Sequence, residues 1–157
     1  MHILIVADGR SPITRRWIPG VLALGHRVTL ISTFPCTPLP GVEQTIILST
    51  AFGGAASGNS TGRASALRPL ISRFRRLFLS GRYLLGPLTL PLSGKRLARL
   101  VKEIKPDLVH ALRIPFEGML ASYTPANTPL ILSTWGNDLT LHAPASPLMS
   151  AWTRRAL

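Results

Sequence analysis

Three short stretches carry residue types and spacings suited to chemistry. The first is Asp8-Gly9-Arg10-Ser11-Pro12, with Arg15 and Arg16 just behind it. A glycine-bearing turn that opens a helix offers backbone N–H groups and the positive end of the helix dipole to anions. Arg10, Arg15 and Arg16 can add forked donors for a phosphate. The G-x-G-x-x-G spacing of a dinucleotide site is absent, and so is the Gly-Lys-Ser/Thr ending of a P-loop. The second stretch is His110, followed by Arg113 and Glu117. A histidine there can hydrogen-bond a substrate hydroxyl or assist a leaving group. The third is Trp135-Gly136-Asn137-Asp138, a polar, glycine-containing turn beside an aromatic ring. Each has a plain alternative: a solvated basic turn, a satisfied structural histidine beside an apolar run, and a loop tryptophan with capping Asn and Asp. His2, His26 and His142 have no metal-ligand spacing.

Each stretch follows an apolar run that reads as a strand. Ile3 to Ala7, Asp107 to Ala111 and Pro129 to Thr134 are short, apolar and bounded by breakers, as buried strands of a parallel sheet are. Ligands of open α/β sheets sit beyond the carboxyl ends of such strands. Ser11 caps a helix with Pro12 in its first turn and Gly25 as its stop, and Pro19 predicts either a kink or a later start. Arg27 to Ser32 and Thr45 to Leu48 are further strands. Ala51 to Gly62 is rich in Gly, Ser and Ala and reads as a mobile loop. A helix is expected from near Leu67, a second from Ser93 to Pro106, a short one over Phe116 to Ser122, and a last one capped by Ser146 or Ser150. The alternation predicts one α/β domain.

The charge is unusual. A net +12 stands on 157 residues, and Arg63 to Lys105 holds eleven of the eighteen basic residues with one acid, Glu103. Leu67, Leu70, Ile71, Phe74, Leu77 and Phe78 interleave with arginines at helical spacing. This segment can pack its apolar side on the sheet, lie on an anionic membrane, or contact nucleic acid. Nucleic acid is the weakest of these, because no RNA-binding aromatic motif or recognition helix is present. Cys36 is the single cysteine, so a disulfide framework is excluded and a reducing compartment suits the chain. The amino terminus does not read as a signal peptide and no stretch reaches the roughly 20 apolar residues of a membrane span. A cytoplasmic protein is expected, at most peripheral on the inner face of a membrane.

Taken together, MHILIVADGRSPITRRWIPGVLALGHRVTLIS, KPDLVHALRIPFEGMLAS and PLILSTWGNDLTL resemble the amino-terminal domain of family-four glycosyltransferases of the GT-B fold. The resemblance covers Met1–Ser32 and Lys105–Leu157 and is weak from Pro35 to Gly94. It implies a Rossmann-like, three-layer α/β domain with a mainly parallel sheet, half of a GT-B fold. It implies a retaining transfer of a sugar from a nucleotide-sugar to an acceptor, with no metal and no other cofactor. The acceptor would be lipid-linked or a cell-envelope glycan. By position, His110 would be the catalytic candidate; Gly9, Arg10, Arg15, Arg16, Arg113, Trp135, Gly136, Asn137 and Asp138 would bind substrate. Leu112 stands where many relatives have a second histidine, and Trp135 where many have a histidine. The resemblance also implies a donor-binding domain beyond Leu157, so the chain is expected to be truncated and inactive alone. The readings from other classes are a non-catalytic basic module on anionic membrane or nucleic acid, and a small nucleotide-binding Rossmann protein. Ser32, standing where an acid would hold a ribose, argues against the latter.

Overall fold

The computed structural model describes residues 1–50 and 86–157. The expected 51–62 loop and the helix from near Leu67 lie outside the described residues. The described elements are β1 (His2–Ala7), α1 (Pro12–Ala23), β2 (Arg27–Ser32), β3 (Gln44–Ile47), α2 (Leu90–Ile104), β4 (Leu108–Ala111), α3 (Met119–Ala121), β5 (Leu130–Leu132) and α4 (Pro147–Ala156). All strands run parallel in the order β3-β2-β1-β4-β5. This is the Rossmann-like α/β architecture. The order reverses between β1 and β4, so the crevice for a ligand opens past Ala7 and Ala111.

The sheet has a core on each side. Leu4, Val6, Val109 and Ala111 face α2, α3 and α4, meeting Leu97, Val101, Leu120 and Met149. Ile3, Ile5, Ala7, Val28 and Leu30 face α1 and meet Ile18. Every residue of β1 is buried, as a strand with neighbours on both edges and helices on both faces must be.

The helix signals are realised with two shifts. Ser11 Oγ accepts from the Ile13 N–H at 3.3 Å, α1 begins at Pro12 and runs through Pro19, and Gly25 ends it at φ 79°. α2 begins at Leu90, three residues before Ser93, because Pro91 fits a first helical turn, where its missing N–H costs nothing. Ser146, rather than Ser150, caps α4 through the Met149 N–H at 3.1 Å.

Two expectations need correction. The expected helix over Phe116 to Ser122 is instead a wide turn, Ile114–Gly118, leading into the single helical turn α3. Pro115 is extended (ψ 121°), and Phe116 takes φ 65°, ψ −53°, a γ-turn geometry that is costly for a residue with a Cβ. β5 is an edge strand among the described residues, and Ile131 is 48% exposed where a continuous apolar run had implied burial.

Gly9 shows why the first turn needs a glycine. Its N–H donates to Ser32 Oγ at 3.0 Å, and a Cβ there would run into Cys36 Sγ and touch Ser32 Oγ at 3.0 Å. Gly9→Ala is therefore expected to cost about 1–3 kcal/mol in chemical denaturation, as overpacking does. Adding Cys36→Ala should recover at least half of that loss. Equal stabilities of G9A and G9A/C36A would show that the thiol is not the obstacle.

Candidate active site

Asp138 joins the turns after β4 and β5, which together make one side of the crevice. It sits just after β5 and is 0% exposed. Its Oδ2 accepts from the Ile114 N–H and the Trp135 N–H, each at 3.1 Å, and its Oδ1 accepts from Arg113 Nη2 at 3.0 Å. A buried carboxylate is costly unless it is paired and its oxygens are satisfied. Here two backbone donors and one guanidinium do so, and the β4 and β5 turns are fastened together. Asp138 thus positions the rim from inside and presents no surface to a ligand.

The outer side of that joint forms a cavity of about 230 Å³ at the reversal of strand order. One wall comes from the β1–α1 turn through Asp8, Arg10 and Thr14. The opposite wall comes from the β4 turn through Arg113, Phe116 and Glu117, with Phe34, Trp135 and His142 closing it. Glu117 is nearly fully buried and accepts from Thr33 Oγ1 at 2.8 Å. The strained Phe116 backbone lies directly before it, so the γ-turn aims the carboxylate inward. Arg113 stands over the Trp135 ring at 5.3 Å, within cation–π range. Its Nε is buried and finds no acceptor among the described residues.

The anion cradle expected at the β1–α1 turn has most of its donors engaged. The Ser11 N–H goes to the Asp8 carbonyl, Pro12 has none, and Ile13 is capped by Ser11. Arg10 grips Asp8 with both Nε (3.1 Å) and Nη2 (3.0 Å) and lies 3.8 Å over the Phe34 ring. Arg15 reaches Thr37 Oγ1 at 2.9 Å, away from the cavity lining, and Arg16 is exposed on α1. Of the three arginines, Arg10 alone lines the cavity, and any anion there competes with Asp8.

The remaining expected site residues are divided. Trp135 lines the cavity, while Gly136 and Asn137 are exposed on the outside of the same turn. Its chain neighbours aside, no heavy atom of the described residues lies within 4 Å of where a Gly136 Cβ would be. Gly9 packs beneath the turn, as described above. His110 points to the α1 side of β4, outside the cavity lining. Its Nε2 is 2.9 Å from Ser133 Oγ, and its ring meets Trp17 edge-on at 5.7 Å. Glu117, noted beside His110 but given no role in the sequence, and His142, noted only as lacking metal-ligand spacing, also line the cavity. The place of Glu117, six residues past the end of β4, is legible in the sequence, but the φ of Phe116 that directs it leaves no mark there. Among the described residues, no group of three or more His, Cys, Asp or Glu side chains is placed to hold a metal ion, and no helix is long and apolar enough to cross a membrane.

Burial pushes the His110 imidazole below its ordinary value, since a charged ring there would lose its water. The unfolded chain, titrating near 6.5, takes up that proton first as pH falls. His110 therefore contributes stability above about pH 6.5, and the contribution is lost as pH drops from there toward the lowered folded value. The difference in unfolding free energy between wild type and His110→Gln should fall with decreasing pH across this window and be constant above it. Parallel curves throughout would show that His110 is not held neutral by the fold.

Residues 63–157 match the family described as "Glycosyl transferase 4-like". The match includes the PDLVHA and TWGND stretches, and it takes in the segment after residue 63 where the motif resemblance is weak. No curated protein and no solved structure matches the chain. A match over more than half of the sequence, joined to an all-parallel Rossmann-like sheet with a cavity at its switch point, places this chain in the glycosyl transferase 4-like family.

Proposed function

We propose that this chain is the acceptor-side half of a retaining, metal-independent transferase. It would help move a hexose-type sugar from a nucleotide-sugar to a lipid-linked or cell-envelope glycan acceptor. The observation that supports this most is the make-up of the switch-point cavity. A sugar ring is apolar on its faces and polar around its rim. Trp135 offers an aromatic plane for the first, and Arg113, Glu117 and Thr14 offer donors and acceptors for the second.

The buried Arg113 Nε without an acceptor fits the same reading, because a ligand oxygen at the cavity edge would complete it. Arg10, already held by Asp8 and Phe34, would be a pre-set donor at the mouth. Gly136 and Asn137, on the outer face of the turn, would border the transferred sugar, with Gly136 keeping that approach open. His110 would act from beneath, orienting the end of β5 through Ser133.

Saturation-transfer NMR of the full chain with methyl glucoside, galactoside and mannoside tests this. Ring-proton signals are expected for at least one hexoside, reduced at least fivefold by Trp135→Ala. Gly136→Trp should remove them without changing Tm, because nothing among the described residues crowds that position. Undiminished signals in both variants, or no signal from any hexoside, would refute a sugar site in this cavity.

A further inference from the structure

Two carboxylates line the cavity, and they are held differently. Asp8 accepts the backbone N–H and the Nε of Arg10 on Oδ1, at 2.9 and 3.1 Å, and Arg10 Nη2 on Oδ2 at 3.0 Å. It is engaged by the arginine beside it. Glu117 lies deeper, at 3% exposure, with Phe34, Leu112, Pro115 and Phe116 as cavity neighbours. A buried carboxylate needs donors to replace its water. Thr33, which has no exposure, supplies one through Oγ1 to Oε1 at 2.8 Å. In such a low-dielectric place each hydrogen bond is stronger than in water.

Topology puts this carboxylate on the cavity floor. Thr33 directly follows β2 and Glu117 belongs to the turn after β4, while β1 lies between those two strands. The Thr33–Glu117 bond therefore crosses the carboxyl end of β1, where Ala7 also lines the cavity. The strand order reverses there, and ligands of such sheets sit above that point. Phe116, immediately before Glu117, holds φ 65°. Backbone strain of this kind collects at ligand-binding positions. A mere tie between two turns would not require a charge, since uncharged side chains do that without the desolvation cost.

We propose that Glu117 is the specificity-determining residue of this cavity: it accepts a hydrogen bond from one hydroxyl of the bound sugar ring, and so sets which hydroxyl must be present and which way it points. This rests on the reading of the cavity as a sugar site and narrows it. An ionised carboxylate has about four acceptor positions and no donor, so orientation by Thr33 is compatible with accepting from a ligand as well. Arg113, four residues earlier on the same turn, is the converse, a donor only. The floor therefore reads a hydroxyl through its hydrogen, and the wall reads a hydroxyl through its oxygen. A site built to hydrogen-bond a substrate hydroxyl rejects the analogue lacking it far more strongly than an apolar pocket rejects a change of size.

Fluorine separates the two kinds of reading, because a C–F group accepts weakly and cannot donate. The full chain is titrated by saturation-transfer NMR with the methyl hexoside it binds best and with the monodeoxy and monodeoxyfluoro analogues of that hexoside. At one ring position both analogues should bind about tenfold or more weakly than the parent, the loss expected for a hydrogen bond to a charged group. In Glu117→Gln, whose amide can donate, the fluoro analogue at that position should bind about threefold or more better than the deoxy one. Thr33→Val should shrink the parent-to-deoxy ratio by about threefold or more, since the carboxylate loses its orienting donor. The wild-type comparison stands whether or not the variants fold. Three results would overturn the proposal and leave the sugar site standing: no position at which both analogues lose, a fluoro analogue that matches the parent wherever the deoxy one fails, or variants that weaken every ligand equally with unchanged ratios. No signal from any hexoside would remove the sugar site, and the proposal with it.

Discussion

One buried carboxylate sets the shape of the candidate site. Asp138 has no exposure, and it binds a guanidinium and two backbone amides drawn from the turns after β4 and β5. Removing a carboxylate from water costs several kcal/mol unless donors replace the water. The chain supplies them only when the turn after β4 and the turn after β5 come together. Burial of Asp138 and closure of the rim are therefore one event. The parallel sheet delivers two strand ends about one strand spacing apart, and Asp138 converts that proximity into a fixed wall.

The wall is largely pre-arranged in charge as well as shape. Arg10 is held by Asp8 and Phe34, and Arg113 by Asp138 and Trp135. Neither arginine is a loose surface cation. The exposed Arg10–Asp8 pair contributes little to stability, so its significance is geometric: it fixes a donor at the cavity mouth. The strained turn at Phe116 follows the same logic, since it spends conformational energy to direct Glu117 inward. A site whose donors and acceptors are already placed loses little on binding a neutral, hydroxyl-rich ligand. It is less suited to a free phosphate, which must displace Asp8 from Arg10.

Much of the fold is legible in the residues. Ile3 to Ala7 and Asp107 to Ala111 read as strands because apolar runs bounded by breakers have few other uses. Ser11, Gly25 and Ser146 mark helix ends because their side chains or their positive φ do so locally. What stays hidden depends on distant partners. The apolar run at Leu130 to Leu132 signals a parallel strand but not how many neighbours it has, so the exposure of Ile131 is invisible. Pro91 reads equally as a breaker or a first-turn residue. Asp138 resembles a surface cap in sequence, and only the return of Arg113 and Ile114 across the sheet makes it an internal anchor. The family match covers Asp138 and Glu117 but assigns neither a role.

The claim on which the rest depends is that Asp138 joins the two turns into one rigid rim. Native-state hydrogen exchange at the Ile114 and Trp135 amides tests it directly. In the wild type both amides should be protected to a similar degree. Asp138→Ala should speed both by about tenfold or more, while Leu4 and Val109 in the central strands keep their rates. If either amide keeps its protection in the variant, or if both already exchange at open-loop rates in the wild type, the two turns are not held by this carboxylate and the cavity is not the preformed site described here.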